Sequence, residues 1–188
     1  MGHQFVMGRT IDEALERAAG EPRYRYTFDM LGESALTDAG AEDYFEAYGT
    51  AIAAVGRAAR RGQPPEAAPS ISVKLSALHP RYEYTQRADV LARLGPRIEA
   101  LCAQACAAGV ALTVDAEEAD RLELSLELFD RLLVAPALRD FDALGLAVQA
   151  YQKRAPAVLR WLAARAEATG RRIHVRLVKG AYWDAEIK

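Results

Sequence analysis

Residues 109–134, GVALTVDAEEADRLELSLELFDRLLV, spell out one complete structural unit. Gly109 closes the segment before it, VALTVDAEE at 110–118 reads as a strand, and leucines at helical spacing from about Asp120 to Val134 predict a helix. The same order recurs on both sides. Upstream, SISVKLSAL at 70–78 is a strand followed by a helix from about Arg87 to Ala108. Downstream, LGLAVQAYQ at 144–152 leads into a helix over 156–169, Gly170 caps it, and IHVRLVKGA at 173–181 is a further strand. Strands alternating with helices of this length mean βα units, and right-handed crossovers make the sheet parallel with helices outside.

Towards the N-terminus, RYRYTFDML at 23–31 alternates as a strand would, and a helix from Thr37 to Arg61 runs into the proline-rich connector GQPPEAAP. Thr10 with Glu13 three residues on is a capping-box pattern that opens a short lead-in helix ending near Ala19. The expected organisation is therefore a lead-in segment at 1–22 and a barrel-type α/β unit at 23–188.

Composition limits what such a unit can do. The 188 residues carry 24 basic and 26 acidic side chains, a formal net charge of -2, so no overall basic field draws nucleic acid to this segment. With 51% hydrophobic residues and no apolar run of about 18, the chain reads as a soluble globular one. No signal-peptide pattern is present at its start. Cys102 and Cys106, four apart in an alanine-rich helix, read as small buried apolar residues. With them, His3, His79 and His174 form no metal-ligand spacing, so no metal is expected, and the cysteine usage fits a reducing cytoplasm. A closed (βα)8 barrel takes about 250 residues, more than are here.

Polar residues mark the strand ends. Asp29, Lys74, Asp115, Gln149, Arg176 and Lys179 each lie within or at the C-terminal end of an expected strand, among apolar neighbours. In a barrel those ends share one mouth, where ligand chemistry is placed. No GxGxxG or P-loop occurs. Glu117, Glu118 and Glu123 read as a helix start with a solvated face, and Lys153 with Arg154 as a loop-facing structural pair.

The motifs MGHQFVMGRTIDEAL, YTFDMLGESALT, SISVKLSALHPRY, VDAEEADRLELSLELF, LAVQAYQKRAP and RLVKGAYWDAEIK closely resemble, in order, the proline dehydrogenase domain of bifunctional proline utilization A flavoenzymes. The resemblance implies a (βα)8 TIM-type barrel, here extending to about the fifth strand, that binds FAD. It implies oxidation of L-proline to 1-pyrroline-5-carboxylate by hydride transfer to flavin N5, the first step of proline catabolism to glutamate, with a membrane quinone as electron acceptor. Peripheral association with the inner face of the membrane follows for the parent enzyme.

By the same resemblance, Lys74, Asp115 and Arg176 are catalytic. Lys74 pairs with the proline carboxylate, Asp115 holds the basic groups in place, and Arg176 lies near N5. Gln149, Arg176, Val178, Lys179, Gly180, Ala181 and Trp183 contact FAD, while Leu177 and Tyr182 pack around the proline ring. Asp29 is a further barrel-mouth candidate. Against the family pattern the C-terminal barrel units are missing, which predicts weak FAD binding and poor turnover for the chain alone. Two other readings are a non-catalytic folding or interaction fragment and a Schiff-base barrel using Lys179.

Overall fold

A computed structural model describes residues 6–32, 34–59 and 69–186, so most of the connector and both chain ends lie outside the described residues. In chain order the elements are α1 (Ile11–Ala19), β1 (Thr27–Phe28), α2 (Asp38–Ala58), β2 (Ser70–Val73), α3 (Arg87–Ala108), β3 (Ala111–Val114), α4 (Leu122–Val134), β4 (Leu144–Gln149), α5 (Ala155–Thr169), β5 (His174–Val178) and α6 (Trp183–Glu186). The five strands form one sheet in the order β1-β2-β3-β4-β5, every neighbouring pair parallel. This is the expected α/β barrel-type arrangement, carried through five strands.

The helix boundaries follow the local chemistry. Thr10 Oγ1 accepts from Glu13 N at 3.2 Å, which satisfies an amide that the first turn of α1 leaves open, and Glu13 Oε2 accepts from Arg9 N, just before the cap, at 2.7 Å. Gly109 and Gly170 take φ of +67° and +65° just past α3 and α5, a left-handed cap that glycine adopts without strain. The strands are shorter than the sequence pattern suggests. Only Thr27 and Phe28 of the 23–31 stretch pair with β2, and after Val73 the chain turns at Lys74 into a 3₁₀ turn at Leu75–Ala77. Residues 115–118 likewise leave the sheet after β3, although Asp115 N still donates to Val73 O at 2.9 Å.

Strand alternation separates two faces. Ile71, Val73, Leu112, Val114, Leu144, Leu146 and Val148 are buried in the apolar core, which also takes in residues of α2, α3, α4 and α5. The other face carries Ser72, Lys74, Asp115, Gln149 and Arg176. A flat sheet would set β2 and β5 about 14 Å apart, three strand spacings. Instead Arg176 Nη1 donates to Ser72 Oγ at 2.6 Å, so the sheet curls around this polar face as the wall of a barrel does. Among the described residues no strand pairs with the outer edge of β5, and Val175 and Leu177 there are 42% and 58% exposed.

Candidate functional site

The mouth of the curled sheet collects the polar strand ends. Lys74, the first residue past β2, is fixed at its backbone, where its N–H donates to the hydroxyl of the buried Tyr48 at 3.1 Å. Its ammonium lies 2.9 and 3.1 Å from the two carboxylate oxygens of Asp29 and 3.5 Å from Asp115 Oδ2. The other oxygen of Asp115 pairs with Arg176 Nη2. An alternating chain of charges, Asp29, Lys74, Asp115 and Arg176, thus crosses the mouth from the loop after β1 to β5. Burial pushes the Asp115 carboxyl above its ordinary range. Arg176 and Lys74 work against that shift and Asp29 adds to it. The Nε of Arg176 is buried without a hydrogen-bond partner.

Gln149 ties the strand ends together from the end of β4. Its Nε2 donates to Glu117 O at 2.8 Å and its Oε1 accepts from Ala181 N at 3.1 Å, so one N–H and one lone pair of the amide are left over. Glu117 is itself buried. Its Oε1 accepts from Ser76 N at 3.0 Å, and its Oε2 accepts from Arg121 Nη1 at 2.9 Å. This corrects the reading of Glu117 as part of a solvated helix face, because α4 begins only at Leu122 and the carboxylate turns inward to a free backbone N–H. Its spacing of four from Arg121 was the available signal. Glu118 also pairs with Arg121, at 3.1 Å, whereas Glu123 is exposed and faces Arg154.

The segment after β5 divides by face. Val178 shares the side of Arg176. Leu177 points to the opposite side and is 58% exposed, so it does not pack with Tyr182 beside the charged cluster as expected. Lys179 is exposed and lacks the burial that activates a Schiff-base lysine. Gly180 has φ of +126° and lies directly against the ring of Tyr151. Trp183 is 54% exposed and meets Tyr151 edge to face at 5.8 Å. Tyr182 lines a cavity of about 420 Å³ with Met30, Leu31, Lys74, Glu117 and Arg121. Burial and the Glu117 and Glu118 carboxylates push its phenol up to about 12.

The described residues contain no group of three or more His, Cys, Asp and Glu side chains disposed to hold a metal ion. Cys102 is buried in α3 and Cys106 partly so.

Comparison with known proteins places this geometry. The model of the family described as Proline dehydrogenase matches residues 13–188. The chain is 48% identical over its whole length to the Bifunctional protein PutA of Salmonella typhimurium and 50% identical to that of Rhizobium meliloti. It spans 14% and 15% of the lengths of those relatives. Among solved structures, a proline utilization A with proline bound in remote sites is 54% identical and superposes with a TM-score of 0.88, covering 100% of this chain and 19% of that one. A proline utilization A from Bdellovibrio bacteriovorus, inactivated by N-propargylglycine, is 26% identical with a TM-score of 0.89, covering 98% of this chain and 20% of that one. The sequence match over residues 13–188, together with the curled five-stranded parallel sheet, means that this chain belongs to the proline dehydrogenase family.

Proposed function

We propose that the mouth formed by Lys74, Asp115 and Arg176 serves FAD-dependent oxidation of L-proline to 1-pyrroline-5-carboxylate. The observation that carries this reading is the charge chain Asp29, Lys74, Asp115 and Arg176, because it fixes two cations of different geometry in one half-buried place. Lys74 supplies a point charge for the substrate carboxylate. Asp115 holds Lys74 and Arg176 at a set separation. The buried, unpartnered Nε of Arg176 fits an acceptor atom on a bound flavin, and Gln149 has one N–H and one lone pair to offer. Gln149, Arg176, Val178, Lys179, Gly180, Ala181 and Trp183 would hold FAD, which when bound supplies the hydride acceptor. A guanidinium there stabilises negative charge as it grows on the ring.

On this reading residues 1–22 are a lead-in and residues 23–188 the barrel portion, and electrons pass on to a quinone. A cytoplasmic enzyme peripheral to the membrane is the matching location. No helix among the described residues is long and apolar enough to cross a membrane. With no described strand on the outer edge of β5, the chain alone should hold FAD weakly. The same exposed edge, with Val175 and Leu177, favours a second reading in which this segment is a folding or interaction module without turnover.

The test is a flavin titration of the purified chain followed by addition of L-proline. Bleaching of the bound flavin by proline, abolished in Lys74→Ala with flavin affinity kept, supports the enzyme reading. A folded chain that takes up no flavin, or whose bound flavin ignores proline, leaves the module reading.

A further inference from the structure

We propose that Tyr151 is a positioning residue whose ring, interlocked with Gly180, sets the conformation of the turn at 178–183. The inference rests on the reading above only in what the turn is for, since the interlock itself is geometric. Two backbone bonds bring the segments together just past the last paired residues of β4 and β5, Ala150 N to Val178 O at 2.7 Å and Tyr151 N to Lys179 O at 3.1 Å. Beyond them the chain turns at Gly180 with φ of +126°, a region that side chains rarely adopt. A Cβ on Gly180 would lie against one edge of the Tyr151 ring, at Cδ1 and Cε1, far inside van der Waals contact. The turn therefore has a steric floor, and only a residue without a side chain fits on it.

The ring makes a second contact with the same turn. Trp183 packs edge to face on Tyr151, with ring planes at 80°, in the geometry that aromatic quadrupoles favour. Between these two contacts, Ala181 N is held by Gln149 Oε1 at 3.1 Å. Gln149 and Tyr151, two apart at the end of β4, thus grip successive points of the same turn, one by a hydrogen bond and one by shape. Gly180, Ala181 and Trp183 are the residues proposed to meet FAD, whereas Tyr151 acts through them.

The experiment uses the full 188-residue chain with Trp161→Phe, so that Trp183 is the remaining tryptophan. In that background Tyr151→Phe, Tyr151→Ala, Gly180→Ala and the Tyr151→Ala/Gly180→Ala double variant are compared by Trp183 emission, denaturant midpoint and flavin affinity. Tyr151→Phe keeps the ring and should keep the parent's Trp183 emission and its Gly180→Ala penalty. Tyr151→Ala should shift Trp183 emission and weaken FAD about tenfold, a cost of the size expected for losing an aromatic contact with its buried area. Gly180→Ala should lower the midpoint less once the ring is gone, because the clash is removed and only the backbone strain remains. Should Tyr151→Ala not fold, Tyr151→Leu keeps apolar bulk without the ring and gives the same reading. Unchanged Trp183 emission in the ring-less variant, or an additive Gly180→Ala cost, overturns the proposal. A parent chain that binds no FAD defeats the functional reading instead, and the emission and midpoint data still decide the interlock.

Discussion

The guanidinium of Arg176 on β5 pairs with the carboxylate of Asp115 beyond the end of β3, reaching past β4 to do so. Burial raises the Asp115 pKa from its ordinary 3.8 even with two cations beside it. The folded chain therefore holds this proton more firmly than the unfolded one. The stability it contributes is present below about pH 3.8 and is lost as pH rises through the folded value. Asp115→Asn cannot ionise, so at neutral pH its stability should equal or exceed the parent's. The response of bound flavin to proline should be lost in the same variant, as Arg176 and Lys74 lose the group that sets their separation. Denaturant midpoints of both proteins across the acid range check this. A variant clearly less stable at neutral pH would sink it.

Gly145 sits on the polar face of β4 between two strands. A side chain there would meet His174 O at 2.7 Å, His174 Cβ at 3.1 Å and Thr113 Oγ1 at 3.1 Å. The first of these is backbone in a paired strand and cannot swing aside. Gly145→Ala should therefore cost about 1–3 kcal/mol, the usual penalty for overpacking. Thermal unfolding measures it, and a midpoint equal to the parent's would mean that β5 moves away at no cost.

These two sites also show what the sequence could reveal. The order of βα units, the glycine caps at 109 and 170 and the Thr10 cap were all legible, because local patterning decides them. Strand ends were overestimated at 74–78 and 115–118, where apolar or β-compatible residues continue past the last ladder bond into a turn. Lys74 with Asp29, 45 residues apart, depends on the β1–β2 register, and Arg176 with Ser72, 104 apart, on sheet curvature, neither of which a local pattern encodes. Glu117 was missed for a different reason. A carboxylate at a helix start ordinarily faces water, and here the free N–H of Ser76 across the mouth and the Arg121 guanidinium hold it inward.

The two cysteines should differ in reactivity. Burial pushes the Cys102 thiol far up, with Glu99 adding to the effect, and burial also raises Cys106, which is partly accessible. The thiolate is the reacting species, so a disulfide-exchange reagent at neutral pH should modify Cys106 slowly and Cys102 only on unfolding. Peptide mapping after brief labelling distinguishes them. Equal labelling of both in the native chain would show that α3 opens far more readily than its buried face suggests.

Tyr182 offers the clearest spectroscopic test of the mouth. Its phenol is pushed up from 10.0 to about 12, first by burial and then by Glu117 and Glu118, with Lys74 pulling the other way and Asp115 adding to the rise. Between these two values the unfolded phenol ionises while the folded one keeps its proton, so its contribution to stability falls as pH rises through that interval. The difference in phenolate absorbance between the parent and Tyr182→Phe should therefore appear near pH 12. Glu117 lines the same cavity, so Glu117→Gln, which removes its charge, should bring that titration to lower pH. A Tyr182 signal near 10.0 that is indifferent to Glu117→Gln would mean that the phenol is open to water and remote from the carboxylates.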